Sequence, residues 1–123
     1  MDLPESAAGP AMTHVVMWRL LETAQGCTAG ENAVLLKAEL EAMRGRIPGM
    51  TGLEVGIDTR RRNNSFDVVL ICRFESAEAL EAYHDHPAHE AVKPLVAAIR
   101  GETVIVDYPA KEVFSRDAVA AVA

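Results

Sequence analysis

Hydrophobic residues recur along the chain with two spacings, and the changes of spacing mark the predicted elements. The segment HVVMWRL, residues 14–20, is short and rich in β-branched and aromatic residues, which is typical of a strand. Residues 52–58 alternate apolar and polar side chains, so they predict a strand with one polar face. Residues 66–74 and 103–108 predict two further strands.

The segment between the first two strands has the period of a helix. Its apolar residues fall at steps of four, three and four: Leu36, Leu40, Met43 and Ile47. Such a stripe covers one face of a helix. Thr28 and Glu31 have the spacing of a capping box, which marks the start of this helix, and Pro48 marks its end.

A second helical segment follows the third strand and is interrupted by Pro87. Ser76 is a candidate cap for its start, and the apolar period resumes beyond the proline over residues 92–99. The order is therefore β-α-β-β-α-β, which predicts an α+β sandwich of ferredoxin-like topology. We predict one domain over residues 12–109, a disordered tail at 1–11 and an extension at 110–123.

Both faces of the predicted sheet carry bulky apolar side chains. The helices of such a sandwich cover only one face, so the other face needs a second cover. Left open, it would form an apolar patch at or above the size that monomers tolerate. We therefore predict a homodimer that packs sheet to sheet, with the charged members of the face at its rim. The predicted interface residues are Val15, Met17, Arg19, Asp67, Val69, Ile71 and Arg73.

Composition and charge narrow the possible partners. The 123 residues carry a formal net charge of −6, which argues against nucleic acid or an anionic membrane as the main partner. No segment approaches the ~18 consecutive apolar residues of a membrane span, and the first residues do not have the pattern of a signal peptide. Two cysteines, Cys27 and Cys72, are too few for a disulfide framework, so we expect a cytoplasmic protein.

The candidate chemistry is concentrated in AYHDHPAHEAV, residues 82–92, which contains three histidines. Tyr83 and His89 from this segment, and His14 from the first strand, fall on faces that their periodicity turns inward. We predict that these three side chains meet in a pocket between helices and sheet. A histidine with a pKa of ~6.5 can act as a base, and a tyrosine hydroxyl can donate a hydrogen bond to an enolate oxygen.

The remaining residues of this prediction form or support the pocket. Its walls are expected to include Trp18, Phe66 and Val68, and His86 is expected to support the break at the proline. His84 is predicted to face water.

A structural interpretation explains the same histidines without chemistry. Pro87 disfavours helical geometry at His86, which would then cap the next helix. Tyr83 would be a core aromatic, and His89 and His14 would be buried, hydrogen-bonded residues. The proline also disrupts the spacing that two histidine ligands would need. Because no cysteine or carboxylate cluster completes a tetrahedral set, we predict no metal and no other cofactor.

The chain resembles the stress-responsive A/B barrel domain (Dabb) family. The resemblance covers about residues 13–109, and its most specific part is Tyr-x-x-His-Pro-x-His at 83–89, joined to a histidine on the first strand. It implies a dimeric α+β barrel. The segments that carry it, in order, are HVVMWRL, IPGMTGLEVG, DVVLICRFESAEALEAYHDHPAHEAVKP and VIVDY.

The resemblance also implies candidate roles. One family member is a polyketide cyclase that performs a metal-free aldol cyclisation in a pocket between helices and sheet. Its catalytic tyrosine and histidine correspond to Tyr83 and His89, and a supporting histidine corresponds to His14. Val68 stands where that enzyme has another pocket histidine.

Three functions remain open at the level of sequence. The first is a homodimer that binds a small hydrophobic or carbonyl-containing molecule. The second is a cofactor-free acid/base enzyme similar to the polyketide cyclase. The third, an oxygen-using monooxygenase of the wider dimeric barrel type, rests on analogy of fold alone.

Overall fold

A four-stranded antiparallel sheet with helices packed on one face is the frame of the protein, of which the computed structural model describes residues 9–110. In chain order the elements are β1 (Met12–Leu20), β2 (Thr23–Ala24), β3 (Cys27–Thr28), α1 (Ala29–Glu41), β4 (Met50–Ile57), β5 (Val68–Phe74), α2 (Ala77–His84), α3 (Pro87–Glu90), α4 (Lys93–Ile99) and β6 (Arg100–Pro109). The sheet order is β4-β5-β1-β6, which confirms the ferredoxin-like topology, and β2 and β3 form a small separate hairpin. The predicted tail and extension lie almost entirely outside the described residues.

Helix α1 begins where the capping box places it. The Thr28 hydroxyl accepts a hydrogen bond from the backbone N–H of Glu31, and the Glu31 carboxylate accepts one from the N–H of Thr28. The helix ends at Glu41, earlier than predicted, and the chain continues in turns. Met43 and Ile47 are nevertheless buried, so the apolar stripe serves the core although its last part is not helical.

The alternation along β1 separates the two faces of the sheet as predicted. His14, Val16 and Trp18 are each no more than 5% exposed beneath the helices. Val15 and Met17 point to the opposite face and are half-buried. The register with β5 and β6 extends that second face, which we call the outer face. Its apolar residues are Val15, Met17, Val69, Ile71, Val104, Val106 and Tyr108.

The region before β5 departs from the predicted pattern at Phe66. The sequence predicted that the strand begins at this residue and that its side chain points toward the pocket. Instead β5 begins at Val68, and the Phe66 ring lies 4.3 Å from the guanidinium carbon of Arg19, a residue of the opposite face. The Asp67 carboxylate accepts a hydrogen bond from the N–H of Leu20 at 2.7 Å, so this segment is tied to the end of β1 and leaves the strand geometry.

The other charged residues predicted for the interface lie on or beside the outer face. Arg19 donates to the Glu102 carboxylate at 3.0 Å, and Asp67 accepts from Arg61 at 3.1 Å. Arg73 is exposed. Within residues 9–110, no helix is both long and apolar enough to cross a membrane.

Candidate functional site

A cavity of about 600 Å³ lies between the inner face of the sheet and the helices. Much of its wall is apolar: Val16 and Leu70 come from the sheet, and Val92 and Val96 come from the segment after Pro87. The break at Pro87 positions this wall. His86 has extended backbone geometry, and its Nδ1 accepts the N–H of Ala88 at 3.0 Å, so it caps the single turn of α3.

Four rings meet on the cavity wall where α2 ends over β1. We call them the ring cluster: His14, Tyr83, His84 and His89. The Tyr83 ring centroid lies 4.5 Å from that of His89 and 5.9 Å from that of His14. Tyr83 and His14 are 1% and 3% exposed. The structure therefore brings the three predicted site residues together around one cavity.

His14 is held by a carboxylate that the sequence analysis did not single out. Its Nδ1 lies 2.5 Å from Oδ1 of Asp107, the residue directly opposite it on β6. An ionised carboxylate only accepts hydrogen bonds, so Nδ1 carries the proton and Nε2 is the unprotonated nitrogen of the neutral ring. This pair fixes the tautomer and the orientation of a buried imidazole.

His89 is held in the same tautomer by the backbone. Its Nδ1 lies 3.1 Å from the carbonyl oxygen of His84, which can only accept, so the neutral ring again has an unprotonated Nε2. Burial lowers the pKa of His89 below its usual 6.5, although the hydrogen bond to His84 acts in the opposite direction. The ring is therefore a neutral base at physiological pH.

The hydroxyl of Tyr83 is a donor and not a base. Burial raises the pKa of Tyr83 well above its ordinary range, and the neighbouring Cys72 thiol adds to this. Burial also raises the pKa of Cys72 to about 12, so this thiol does not provide a nucleophilic thiolate. The ring cluster thus places the neutral imidazole of His89 and the protonated phenol of Tyr83 beside the ring of His14, which Asp107 holds.

Several predicted residues lie elsewhere than expected. Trp18 lines the cavity, but Val68 is buried in the core without lining it, and Phe66 lies with the outer face. His86 was expected to support the break at Pro87 and to belong to the pocket; it caps α3, but it lines a different hollow.

His84 was predicted to face water, and this is wrong. Its ring lines the cavity, with its centroid 5.7 Å from those of His14 and His89. The spacing of residues within a helix gave the wrong direction for this side chain. The reason is that α2 ends at His84 and the chain then turns back over the sheet.

Metal ligands do not assemble in the described part of the chain. Residues 9–110 contain no group of three or more His, Cys, Asp or Glu side chains placed to hold a metal ion. The Asp107 carboxylate is engaged with His14.

Comparisons with known proteins agree on one family and one fold. The family model described as Stress responsive A/B Barrel Domain (Dabb) matches residues 12–110. The comparison with curated proteins finds no match. Among solved structures, a dimeric ferredoxin-like protein of unknown function from Thermobifida fusca is 20% identical, with a TM-score of 0.72 over 83% of this chain and 92% of that chain.

Two further structures are similar to the chain at the same level. A dabb family protein with a ferredoxin-like fold from Mesorhizobium loti is 21% identical, with a TM-score of 0.62 over 85% of this chain and 100% of that chain. A hydroxynitrile lyase from Passiflora edulis is 18% identical, with a TM-score of 0.68 over 86% of this chain and 98% of that chain. At these identities the likeness shows the fold alone.

Proposed function

Because the chain belongs to the stress-responsive A/B barrel domain family, we propose that it is a homodimer whose cavity binds a small hydrophobic or carbonyl-containing molecule. The observation that carries this proposal is the cavity of about 600 Å³ with apolar walls and the ring cluster at one place on them. Apolar walls with a few convergent polar groups are the usual form of a small-molecule site. A carbonyl oxygen is the acceptor that the protonated hydroxyl of Tyr83 would recognise.

Two neighbouring alanines of α4 allow a matched test of this binding. Both are exposed, but Ala97 lines the cavity and Ala98 does not. Calorimetric titration with 2-undecanone, an apolar ketone, should give saturable binding to the wild type and to Ala98→Trp. Ala97→Trp should abolish it, because an indole then occupies the cavity. Equal binding by all three proteins would show that the ketone binds outside the cavity, which contradicts the proposal.

The proposed homodimer would form through the outer face. Val104, Val106 and Tyr108 on this face are 37%, 55% and 46% exposed in the protomer, beside the half-buried Val15 and Met17. Such a contiguous apolar surface is typical of an interface. Several structures with this fold are described as dimeric, which supports a dimer here. A clean monomer in sedimentation at micromolar concentration would contradict it.

We also propose a cytoplasmic location. Cys27 and Cys72, the two cysteines of the chain, are both free thiols. Free thiols are the usual state in a reducing compartment. Fractionation of the source cells with an antibody to the protein would test this, and recovery from an oxidising compartment would contradict it.

A second candidate function is a cofactor-free acid/base enzyme, and one observation favours it. The bond His89–His84 leaves a neutral imidazole with an unprotonated Nε2 beside the protonated Tyr83, and the bond His14–Asp107 orients a second imidazole next to them. Aldol closure and cyanohydrin cleavage both need a base to remove one proton and a donor to stabilise a carbonyl-derived oxygen. The similar structure of a hydroxynitrile lyase agrees with this class of chemistry.

In this second function His89 would act as the base. For a cyanohydrin, His89 would take the hydroxyl proton as the bond between carbon and cyanide breaks. The electron pair of that bond would leave on cyanide, which then takes up a proton, and the aldehyde would remain hydrogen-bonded to Tyr83. Asp107 would be a positioning residue that keeps His14 in one tautomer.

Turnover of mandelonitrile to benzaldehyde, and of an aldol probe, tests the second function. His89→Gln should lower kcat by about a hundredfold or more, the usual contribution of a general base. Glu81→Gln, which alters an exposed residue of α2 that does not line the cavity, should leave kcat unchanged. Unaltered turnover in His89→Gln would refute the catalytic role of His89 and leave ligand binding standing.

A further inference from the structure

The charge of the cavity wall is opposite to that of the whole chain. The protein has 18 acidic and 12 basic residues, yet Lys93 and Arg100 are both among the residues that line the cavity. Among the described residues, no Asp or Glu belongs to that lining. Two cations on the wall of a partly apolar cavity favour an anionic ligand, because oppositely charged groups attract.

The two cations differ in availability. The Lys93 ammonium donates to the Glu90 carboxylate at 3.0 Å, one helical turn away. Arg100 has no acidic partner within residues 9–110. Its exposed guanidinium, at the point where α4 passes into β6, is therefore the cation that can receive an anion.

Arg100 and the ring cluster are at opposite ends of the same pair of strands. Arg100 pairs with Leu20 of β1, whereas Asp107 pairs with His14. The six residue steps from His14 to Leu20 span about 20 Å at ~3.3 Å per residue. Between these ends the cavity wall is mainly apolar, with Val16 among its residues.

A hydroxyl without a partner lies toward the same end as Arg100. Thr103 lines the cavity opposite Trp18, and its Oγ1 is buried with no hydrogen-bond partner in the described part of the chain. Such a group is costly in a folded protein unless something satisfies it.

We propose that the cavity selects an elongated molecule with a carboxylate at one end and a carbonyl at the other. The carboxylate binds the Arg100 guanidinium and the Thr103 hydroxyl, the chain crosses the apolar wall, and the carbonyl reaches the ring cluster. One guanidinium and one hydroxyl match the two oxygens of a carboxylate. This inference rests on the proposed function, since it names the class of ligand that the same cavity takes.

Two ketones that differ at one terminal group test the proposal. Calorimetry would compare 2-undecanone with 10-oxoundecanoate, which has the same chain and ketone but ends in a carboxylate. The wild type should bind the carboxylate about tenfold more tightly, a typical effect of a hydrogen bond to a charged group. In Arg100→Gln the two affinities should become equal within about twofold, while that for 2-undecanone stays at the wild-type value.

Further variants separate the site from general charge effects. Arg60→Gln removes an exposed arginine that does not line the cavity, and it should retain the full preference. Thr103→Val should lower the preference about threefold without lowering the melting temperature, because the hydroxyl that it removes has no hydrogen-bond partner. The preference of the wild type should also fall as salt rises, because Arg100 is exposed to the solvent.

Each remaining outcome has a distinct meaning. Equal binding of the two ketones to the wild type overturns this inference alone. Binding of neither ketone overturns the proposed ligand binding as well. If Ala97→Trp still binds 10-oxoundecanoate as the wild type does, the carboxylate binds outside the cavity and the inference is overturned.

Discussion

Replacement of Val106 by aspartate is the sharpest test of the proposed dimer. Val106 lies near the middle of the outer face, opposite Val15 on the neighbouring strand, and is 55% exposed in the protomer. Because the side chain already contacts solvent in the protomer, a charge there should not disturb the core. In a sheet-to-sheet dimer the same charge would be buried.

The expected loss of dimer stability follows from the exposure of this side chain. Burying the remaining half of a valine contributes about 1 kcal/mol, and an unpaired buried carboxylate costs several kcal/mol. We take about 3 kcal/mol per protomer in total, a low value, because Arg73 lies on the same face and could partly neutralise the charge. A symmetric dimer contains the change twice, so the loss is about 6 kcal/mol, or about four powers of ten in Kd.

Ile105→Asp is the matched control. Ile105 is the adjacent residue, is exposed to almost the same extent at 57%, and points to the cavity side of the sheet. Sedimentation velocity over a range of concentrations should show a dimer for the wild type and for Ile105→Asp, and a monomer for Val106→Asp. Circular dichroism should show that all three proteins are folded.

Two results would refute this reasoning. If Val106→Asp sediments as the wild-type dimer, the outer face is not the interface. If Ile105→Asp dissociates to the same extent, then charge on β6 and not burial in the interface controls assembly.

Three further predictions concern the site. Asp107→Asn replaces a charged hydrogen bond to His14 by a neutral one at a partly exposed position, so urea denaturation should show a loss of about 1 kcal/mol with the dimer intact; no loss would contradict the importance of this bond. Because burial lowers the pKa of His89 in the folded state, the unfolded chain binds the proton first as pH falls. The contribution of this residue to stability is complete above the usual pKa of about 6.5 and is lost as pH falls toward the folded-state value, so His89→Gln should melt with a weaker pH dependence than the wild type between about pH 7.5 and 5.5. Chelators should leave the melting temperature unchanged, and stoichiometric zinc that is lost in His89→Ala would contradict the prediction that the protein binds no metal.

The local features of the fold were predictable from short stretches of sequence. Side chains alternate across a strand by backbone geometry alone, so the burial of His14, Val16 and Trp18 followed from their spacing. The capping box of Thr28 and Glu31 is equally local, because both partners lie within one turn. The prediction for Phe66 was wrong because side chains alternate regularly only within a strand, and β5 begins two residues later, at Val68.

The candidate site was predictable only in part. The periodicity predicted that Tyr83 and His89 point inward. In the structure they line one cavity together with His14. The position of His84 depended on where α2 ends and on how the chain returns after Pro87, which spacing within the helix does not encode. The sequence therefore did not predict that His84 belongs to the ring cluster.

Sequence by itself determined which side chains of each strand share a face, because that follows from the geometry of a few consecutive residues. Tertiary structure alone decided which side chains meet across distant parts of the chain. Asp107 shows the difference, since it bonds to a histidine 93 positions away. Its place follows from the register of β6 against β1, and a shift of one residue would have put this carboxylate on the outer face and left His14 without its partner.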